Sequence, residues 1–502
     1  SLMIKKRVSK IVNKKILTSQ NSSRRDFIKQ VSCLGSAAAI QSLGLTSLLA
    51  ASKALAVDDY KALVFIFLDG GNDAFNMLVP RGAGQLRDDY EAGRRVVALP
   101  ASDLQPINLT APASIYGGEV YNDFGLHPAC DHMADLFNNQ EMSVICNVGN
   151  LYEPTTRDQF FNGGSILPPQ LFSHADQQQQ FQSEPALPFR FGWGGRLAEL
   201  TDIYNSASTV SPLISMSGLN AFQVSRDSVL NPYTLGTNGV TPLWNYKNNV
   251  TRKTMVEDAM ASIDSASHLM MQKHRDIFNS AIQAEAIING AFNEAENAGI
   301  DYDAIFTAAG AASSKVGSQL KTIAKMIAGR SSTGNNRPVF FVKVTGFDAH
   351  QNLLADHSVL MGELNAALKG FRDALTQQSD FDKVLSFVGS EFGRTLTPNG
   401  DDATTGTDHA WGGHALVMGG MINGGQLFGE HPDLKLNEGL DASGGRGRWV
   451  PTTATTQCAS VIAHWFGVSK PDLPQLFPTV ANFPDPFHID ANLGFINPGV
   501  GV

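Results

Sequence analysis

The sequence is poor in the residues that several familiar chemistries need. Its four cysteines are Cys33, Cys130, Cys146 and Cys458. None sits in a CxxC or Cys/His pair of zinc spacing, which sets aside a cysteine-held metal or iron–sulfur cluster. There is no G-x-S-x-G turn, no P-loop and no dinucleotide fingerprint. A serine hydrolase of the elbow type, a nucleotide kinase and a dinucleotide-dependent redox enzyme therefore lose their usual support. Basic residues are scarce outside one segment: net charge is −9, residues 1–56 hold ten Lys/Arg against one Asp, and the remainder carries −18. An acidic body repels a phosphate backbone, so no nucleic-acid partner is expected. No internal repeat is visible.

What is present is ordinary globular material, 43% hydrophobic and 17% charged, enough for one large core or two smaller ones. The 29 Phe, 47 Gly and 23 Pro point to a packed interior joined by many turns and irregular loops. Cys130, Cys146 and Cys458 leave two readings open: one disulfide, Cys130 to Cys146, in an oxidising compartment, or three buried thiols.

Ser23-Arg24-Arg25-Asp26-Phe27-Ile28-Lys29 fits the twin-arginine export pattern. It is followed by a moderately apolar run, Val31 to Leu49, and by Ala54-Leu55-Ala56, an A-x-A site with cleavage expected before Val57. Gln41 and the Gly/Ser content make that run a poor membrane anchor, and no stable span is expected after cleavage. The expectation is a signal at 1–56, recognition by the twin-arginine translocase, and a protein that is periplasmic or exported to the cell surface. Residues 57–502 then form a single domain.

Lys61 to Leu68 is a continuous apolar run of strand length that stops at Asp69-Gly70-Gly71-Asn72-Asp73. Ser143 to Val148, Pro338 to Val344, Lys383 to Val388 and Ala415 to Gly419 read alike. Amphipathic helical patterns separate them, at Ala129 to Phe137, Leu353 to Leu375 and Thr455 to Phe466. The alternation is that of βαβ units, so an α/β doubly wound, mostly parallel sheet flanked by helices is expected, with its site at the carboxyl ends of the strands. Residues from about 150 to 335 read as an insertion, loop-rich to 250, then helical over 257–298 and 306–327.

Chemistry-bearing residues gather where those strands end. Asp69 and Asp73 follow the first. Asp348 and His350 are two apart on an extended segment, able to point the same way, and carboxylate with imidazole is a usual ligand pair for a divalent transition metal. Glu391 and Arg394 follow another strand, and Asp408, His409 and His414 form the densest potential ligand set. His357, on the following helix, is expected to be solvated or capping. Ser173, next to His174 and Asp176, reads either as a nucleophile activated by a metal or by His174, or as an ordinary loop hydroxyl.

Together these residues resemble the bacterial domain-of-unknown-function family numbered 1501, within the alkaline phosphatase-like superfamily. The resemblance rests on the GGND segment with Asp73 and Asn76, Leu126-His127-Pro128, Ser173-His174 with Asp176, Gly192-Trp193, Gly346 to His350, Ser390 to Thr395, Gly406 to His409 and Gly419-Gly420. It implies an alkaline phosphatase-like fold and a divalent metal (zinc, calcium, magnesium or manganese) held by Asp69 or Asp73, Asp348, His350, Glu391, Asp408, His409 and His414. It further implies Ser173 as nucleophile with His174, and Arg394 as charge stabiliser. Where the superfamily usually has Asp-His-Gly, this chain has Glu391-Phe392-Gly393, one imidazole fewer, unless Asp408-His409 supplies it. The expected function is metal-dependent hydrolysis of a small anionic ester of phosphate or sulfate. The competing expectation is a non-catalytic exported binding or assembly protein with a degenerate site.

Overall fold

Successive side chains of a strand face opposite ways, so a strand apolar at every position must be covered on both sides. Strand β1 (Ala62–Asp69) meets that demand: Leu63, Phe65 and Phe67 enter one core cluster, and Val64, Ile66 and Leu68 enter another. The computed structural model describes residues 60–497, apart from 185–190, 207, 209, 227–229, 238, 241–245 and 247. The export signal expected at 1–56 lies outside the described residues.

Around β1 the central sheet adds β2 (Met142–Gly149), β3 (Leu213–Ser215), β4 (Tyr233–Thr234), β5 (Val339–Thr345), β6 (Val384–Gly389), β7 (Gly413–Met418), β8 (Leu427–Phe428) and β9 (Thr453–Ala454). Their spatial order is β8-β2-β7-β6-β1-β5-β3-β4, with β9 also on β2. Helices α1 (Asp131–Asn138), α2 (His174–Gln182), α3 (Trp193–Leu200), α4 (Lys315–Ala328), α5 (Leu353–Gln377) and α6 (Thr455–Phe466) cover it. Met133, Leu320, Ile323, Leu364 and Phe371, from α1, α4 and α5, pack with Val64 and Ile66. Phe181, Trp193, Ile462 and Phe466, from α2, α3 and α6, pack with Phe65 and Phe67. The expected α/β architecture with a mostly parallel sheet is what forms.

Two details differ from the sequence reading. Strand β7 runs antiparallel to both β6 and β2. A parallel strand needs a long crossover, usually helical, and the chain from Ser390 to Gly412 forms no helix. It loops out and returns at the same edge of the sheet. The 150–335 stretch is not only an insertion, because β3 and β4 join the sheet from within it. At three and two residues they are too short to show a period. Of the two cysteine readings, the three buried thiols are what forms: Cys130, Cys146 and Cys458 are buried and free, and Cys130 and Cys146 make no disulfide.

Because β1, β5 and β6 are parallel and β7 returns antiparallel, the carboxyl ends of the first three and the amino end of β7 share one edge. No helix among the described residues is long and apolar enough to cross a membrane.

Candidate metal centre

Four loops meet at that edge, and their contact is close. Gly70 has φ +122°, and a Cβ there would lie 2.4 Å from the Asp348 backbone nitrogen. A Cβ on Gly406 would lie 2.2 Å from the carbonyl carbon of His350. Thr407 N–H donates to the Ala349 carbonyl at 3.0 Å, and Arg394 faces His409 across an antiparallel bridge. Glycine at both positions lets the backbones approach and aims the side chains of 348–350 and 408–409 at one another.

The outcome is a group of ligand-type atoms. His174, Asp348 and His409 each offer one such atom, all within 4.8 Å of one another. His350 lies against this group, its Nε2 3.0 Å from Asp348 Oδ1 and 3.0 Å from His409 Nε2. His409 Nε2 lies 3.3 Å from Asp348 Oδ1, and His174 Nε2 lies 3.4 Å from Asp348 Oδ2.

The outer nitrogens of the imidazoles determine what the inner ones carry. His409 Nδ1 donates to the Phe172 carbonyl at 2.7 Å, because a carbonyl only accepts. His174 Nδ1 lies 2.9 Å from Glu391 Oε1, which also accepts from Gly70 N–H at 2.9 Å and Gln178 Nε2 at 3.1 Å. His350 Nδ1 donates to Asp408 Oδ1 at 3.2 Å. Each neutral ring thus turns a bare Nε2 lone pair inward. Two such lone pairs 3.0 Å apart, on His350 and His409, repel unless a cation or an added proton lies between them.

These separations suit a metal. An ion bound at about 2.0–2.1 Å keeps neighbouring ligand atoms roughly 2.9–3.4 Å apart in octahedral or tetrahedral geometry. The buried His174 Nε2 has no hydrogen-bond partner among the described residues, as a ligand atom would. Imidazoles fixed from behind by a carboxylate or carbonyl are the usual partners of a bound metal.

Charges around the group follow from their neighbours. The hydrogen bond that His174 donates to Glu391 raises the His174 pKa against the opposing effect of burial. Burial lowers that of His409, although the Phe172 carbonyl opposes it. Burial alone would raise the Asp348 carboxyl. The hydrogen bond and charge of Arg394, with His350 and His174, outweigh it and hold that carboxyl low. Asp408 is likewise held low against burial by Asn399 and Arg446.

The other residues singled out in the sequence have different places. Glu391, completely buried, acts behind His174. Asp69 accepts from Gln178 and pairs with Lys343 at 3.3 Å. Asp73 is buried in an ion pair with Arg94, which also donates to Asn76 Oδ1 and the Thr395 and Leu396 carbonyls. Arg394 is fully buried and donates to Asp348 Oδ1 at 2.7 Å and to the Gly70 and Thr407 carbonyls. His414 is buried under Phe75 and His431, and its Nδ1 accepts from Asn147 N–H at 3.1 Å. Ser173 stands at the N-cap position of α2 without capping a backbone N–H, and its hydroxyl donates to Asp176 Oδ2 at 2.7 Å rather than to His174. His357 is buried, not solvated, and hydrogen-bonds Asn72 Oδ1 at 3.0 Å. Sequence reading missed Phe172, whose contribution is a backbone carbonyl, and Gln178, one turn beyond His174 on the same helix.

The profile of a family described as a protein of unknown function, DUF1501, matches residues 60–441. No curated protein matches the chain. Among solved structures it is similar to the PsFucS1 sulfatase from Pseudoalteromonas sp., at 10% identity over 77% of this chain and 68% of that one, with a TM-score of 0.30. Ps i-CgsB in complex with k-i-k-neocarrahexaose follows at 8% identity, 85% and 77% coverage and a TM-score of 0.29. A mutant of the alkaline phosphatase PafA follows at 12% identity, 68% and 64% coverage and a TM-score of 0.24. The fold stands on the sheet itself.

Proposed function

We propose that this chain, which belongs to the DUF1501 family of proteins of unknown function, is an exported metal-dependent hydrolase of phosphate or sulfate esters. The observation that carries the reading is the meeting of His350 and His409 through Nε2 at 3.0 Å beside the Asp348 carboxylate. His174, Asp348, His350 and His409 would hold the ion. An imidazole-rich set suits zinc better than calcium, magnesium or manganese, which favour oxygen ligands. When bound, such an ion polarises the ester's phosphoryl or sulfuryl group and activates a nucleophile.

The chain's own residues supply the rest. Ser173 stands between Phe172 and His174, whose carbonyl and ring shape the metal group, and it already points its proton at Asp176. As Ser173 Oγ bonds to phosphorus or sulfur, its proton passes to Asp176 and the ester oxygen leaves as the alcohol, taking a proton from solvent. Water then cleaves the seryl ester, releasing the inorganic anion and restoring the hydroxyl, and Asp176 returns its proton to solvent. The positive end of α2 favours the charge that develops on Oγ. Arg394 holds Asp348 and the two loops in place, and its committed guanidinium does not serve the substrate. That commitment favours a second reading, ligand binding without turnover.

Elemental analysis of the purified protein and of His174→Ala and His409→Ala variants, with assays on 4-nitrophenyl phosphate and 4-nitrophenyl sulfate, tests the proposal. A stoichiometric divalent metal in the parent, lost in both variants, and hydrolysis abolished by Ser173→Ala are expected. A parent that takes up neither zinc nor manganese overturns it, and a metal-loaded parent inert to both esters moves the assignment to binding. Export rests on Ser23 to Lys29 and Ala54 to Ala56. Changing Arg24 and Arg25 together to Lys should retain the protein inside the cell, as fractionation would show.

A further inference from the structure

Beside the metal centre a cleft of about 270 Å³ runs along α2. One wall is a single face of that helix, Ala175, Gln178, Gln179 and Gln182. The other is the loop after β3, with Ser217, Asn220 and Ala221, and Phe341 and Lys343 of β5 close the base. The cleft begins one residue from His174, and the seven-residue span from Ala175 to Gln182 carries it roughly 10 Å down the helix. An ester whose anion sits among His174, Asp348 and His409 would extend its organic part along this face.

The lining specifies what that part is. Lys343 and Asp69 neutralise each other at 3.3 Å, so the cleft offers little net charge for a second anionic group. Phe341 is 1% exposed and gives no platform on which a base could stack. Leu219, 91% exposed, is at the rim, leaving no apolar trough for an acyl chain. What remains is amide. Gln178 Nε2 is engaged by Asp69 and Glu391, and Gln182 Oε1 by Phe222 N–H. Gln178 Oε1, Gln182 Nε2 and both ends of the Gln179 amide have no hydrogen-bond partner among the described residues. Asn220 is fixed by bonds to Ser215, Gly218 and Gln223, so the opposite wall is rigid. Acceptors and donors interspersed without charge match hydroxyl groups, each of which both donates and accepts. The volume is near the lower end of small-molecule sites and suits one ring.

We propose that this cleft binds the alcohol part of the ester and that this alcohol is a sugar, making the substrate a monosaccharide phosphate or sulfate. The inference rests on the hydrolase reading and adds the substrate class to it. Calorimetric titration of the purified metal-containing protein tests it, with glucose 6-phosphate and glucose 6-sulfate set against hexyl phosphate and hexyl sulfate, and inorganic phosphate and sulfate as reference. The parent should bind the sugar esters about tenfold more tightly than the hexyl esters, the equivalent of one or two added hydrogen bonds. Gln179→Trp, at an exposed helix position where an indole fits without refolding the chain, should fill the cleft and abolish that preference. Its thermal melting point confirms that it is folded. Equal affinity of the parent for sugar and hexyl esters, or a preference that survives in Gln179→Trp, overturns the sugar assignment alone. A parent that binds none of the esters and neither inorganic anion overturns the hydrolase reading, and this inference with it.

Discussion

At the scale of single residues, the site separates groups that face inward from groups that act behind them. Glu391 accepts from His174, Gly70 and Gln178 at once. Glu391→Ala should therefore leave the metal donors intact yet lower metal affinity roughly 10–100-fold, measured by competition with a chelator. Asp73→Ala tests the opposite kind of acid. It strands the buried Arg94 guanidinium and should cost about 3–5 kcal/mol in urea unfolding while metal content stays unchanged. Loss of metal without loss of stability would make Asp73 a ligand instead. The two aspartates show how far the sequence could be read. Asp348 and His350 were legible as a pair because they follow a strand end two residues apart, although tight turns closed by Ala349 N–H to Phe347 and His350 N–H to Asp348, rather than extended backbone, bring them together. Asp73 looks equally like a ligand in sequence, because its partner Arg94 is 21 residues away and nothing local marks it. His414 is next in type to His409, but as the second residue of β7 it lies beneath Phe75 and His431.

Among the loops, the segment that supports His409 is itself held by one buried side chain. Asp441 accepts from the backbone N–H groups of Asn437, Ser443, Gly445, Gly447 and Arg448. Arg448 then donates to the His409 carbonyl at 2.7 Å and lies 4.5 Å over the Phe172 ring. Asp441→Ala should destabilise the fold by about 3 kcal/mol or more, as several charge-assisted bonds are lost together. Hydrogen exchange at residues 437–448 should accelerate more than in β1. The long apolar strands and α5 and α6 were legible to within a residue or two, since period and end signals agreed there. The direction of β7 was not, because an apolar run has no polarity of its own and only the missing crossover helix reveals it. Strands β3 and β4 escaped for want of length, although they bring the Ser217 to Ala221 wall beside α2.

For the whole molecule, a set of buried histidines ties stability to pH. Burial, with His357 for His127 and Arg94 for His357, lowers both imidazoles to about 3. Burial lowers His431 to about 4, and His414 is held well below the ordinary value by burial and by His431. The unfolded chain takes up these protons near pH 6.5, whereas the folded chain refuses them until much lower. Their contribution is accordingly complete above about pH 6.5 and is lost as pH falls toward 4, at roughly 1.4 kcal/mol per pH unit for each group in that window. Urea midpoints should decline steadily from pH 7 to pH 5, and His431→Phe should make the decline shallower. A tightly held metal adds to the same balance: removal with a chelator should lower stability by about 2.7 kcal/mol if the free ion stood at a hundred times its Kd.

The antiparallel return of β7 also governs when this protein becomes a protein at all. Strand β2 spans residues 142–149, and its sheet partners β7, β8 and β9 all come from residues 413–454. While the ribosome is still making the intervening chain, β2 is a finished, mostly apolar ribbon with no neighbour on either side, open to mispairing and to capture by chaperones. His409 is synthesised just ahead of the strand that relieves it. Closing the sheet and completing the metal-binding group are one late event, and a nascent chain stopped before it has neither.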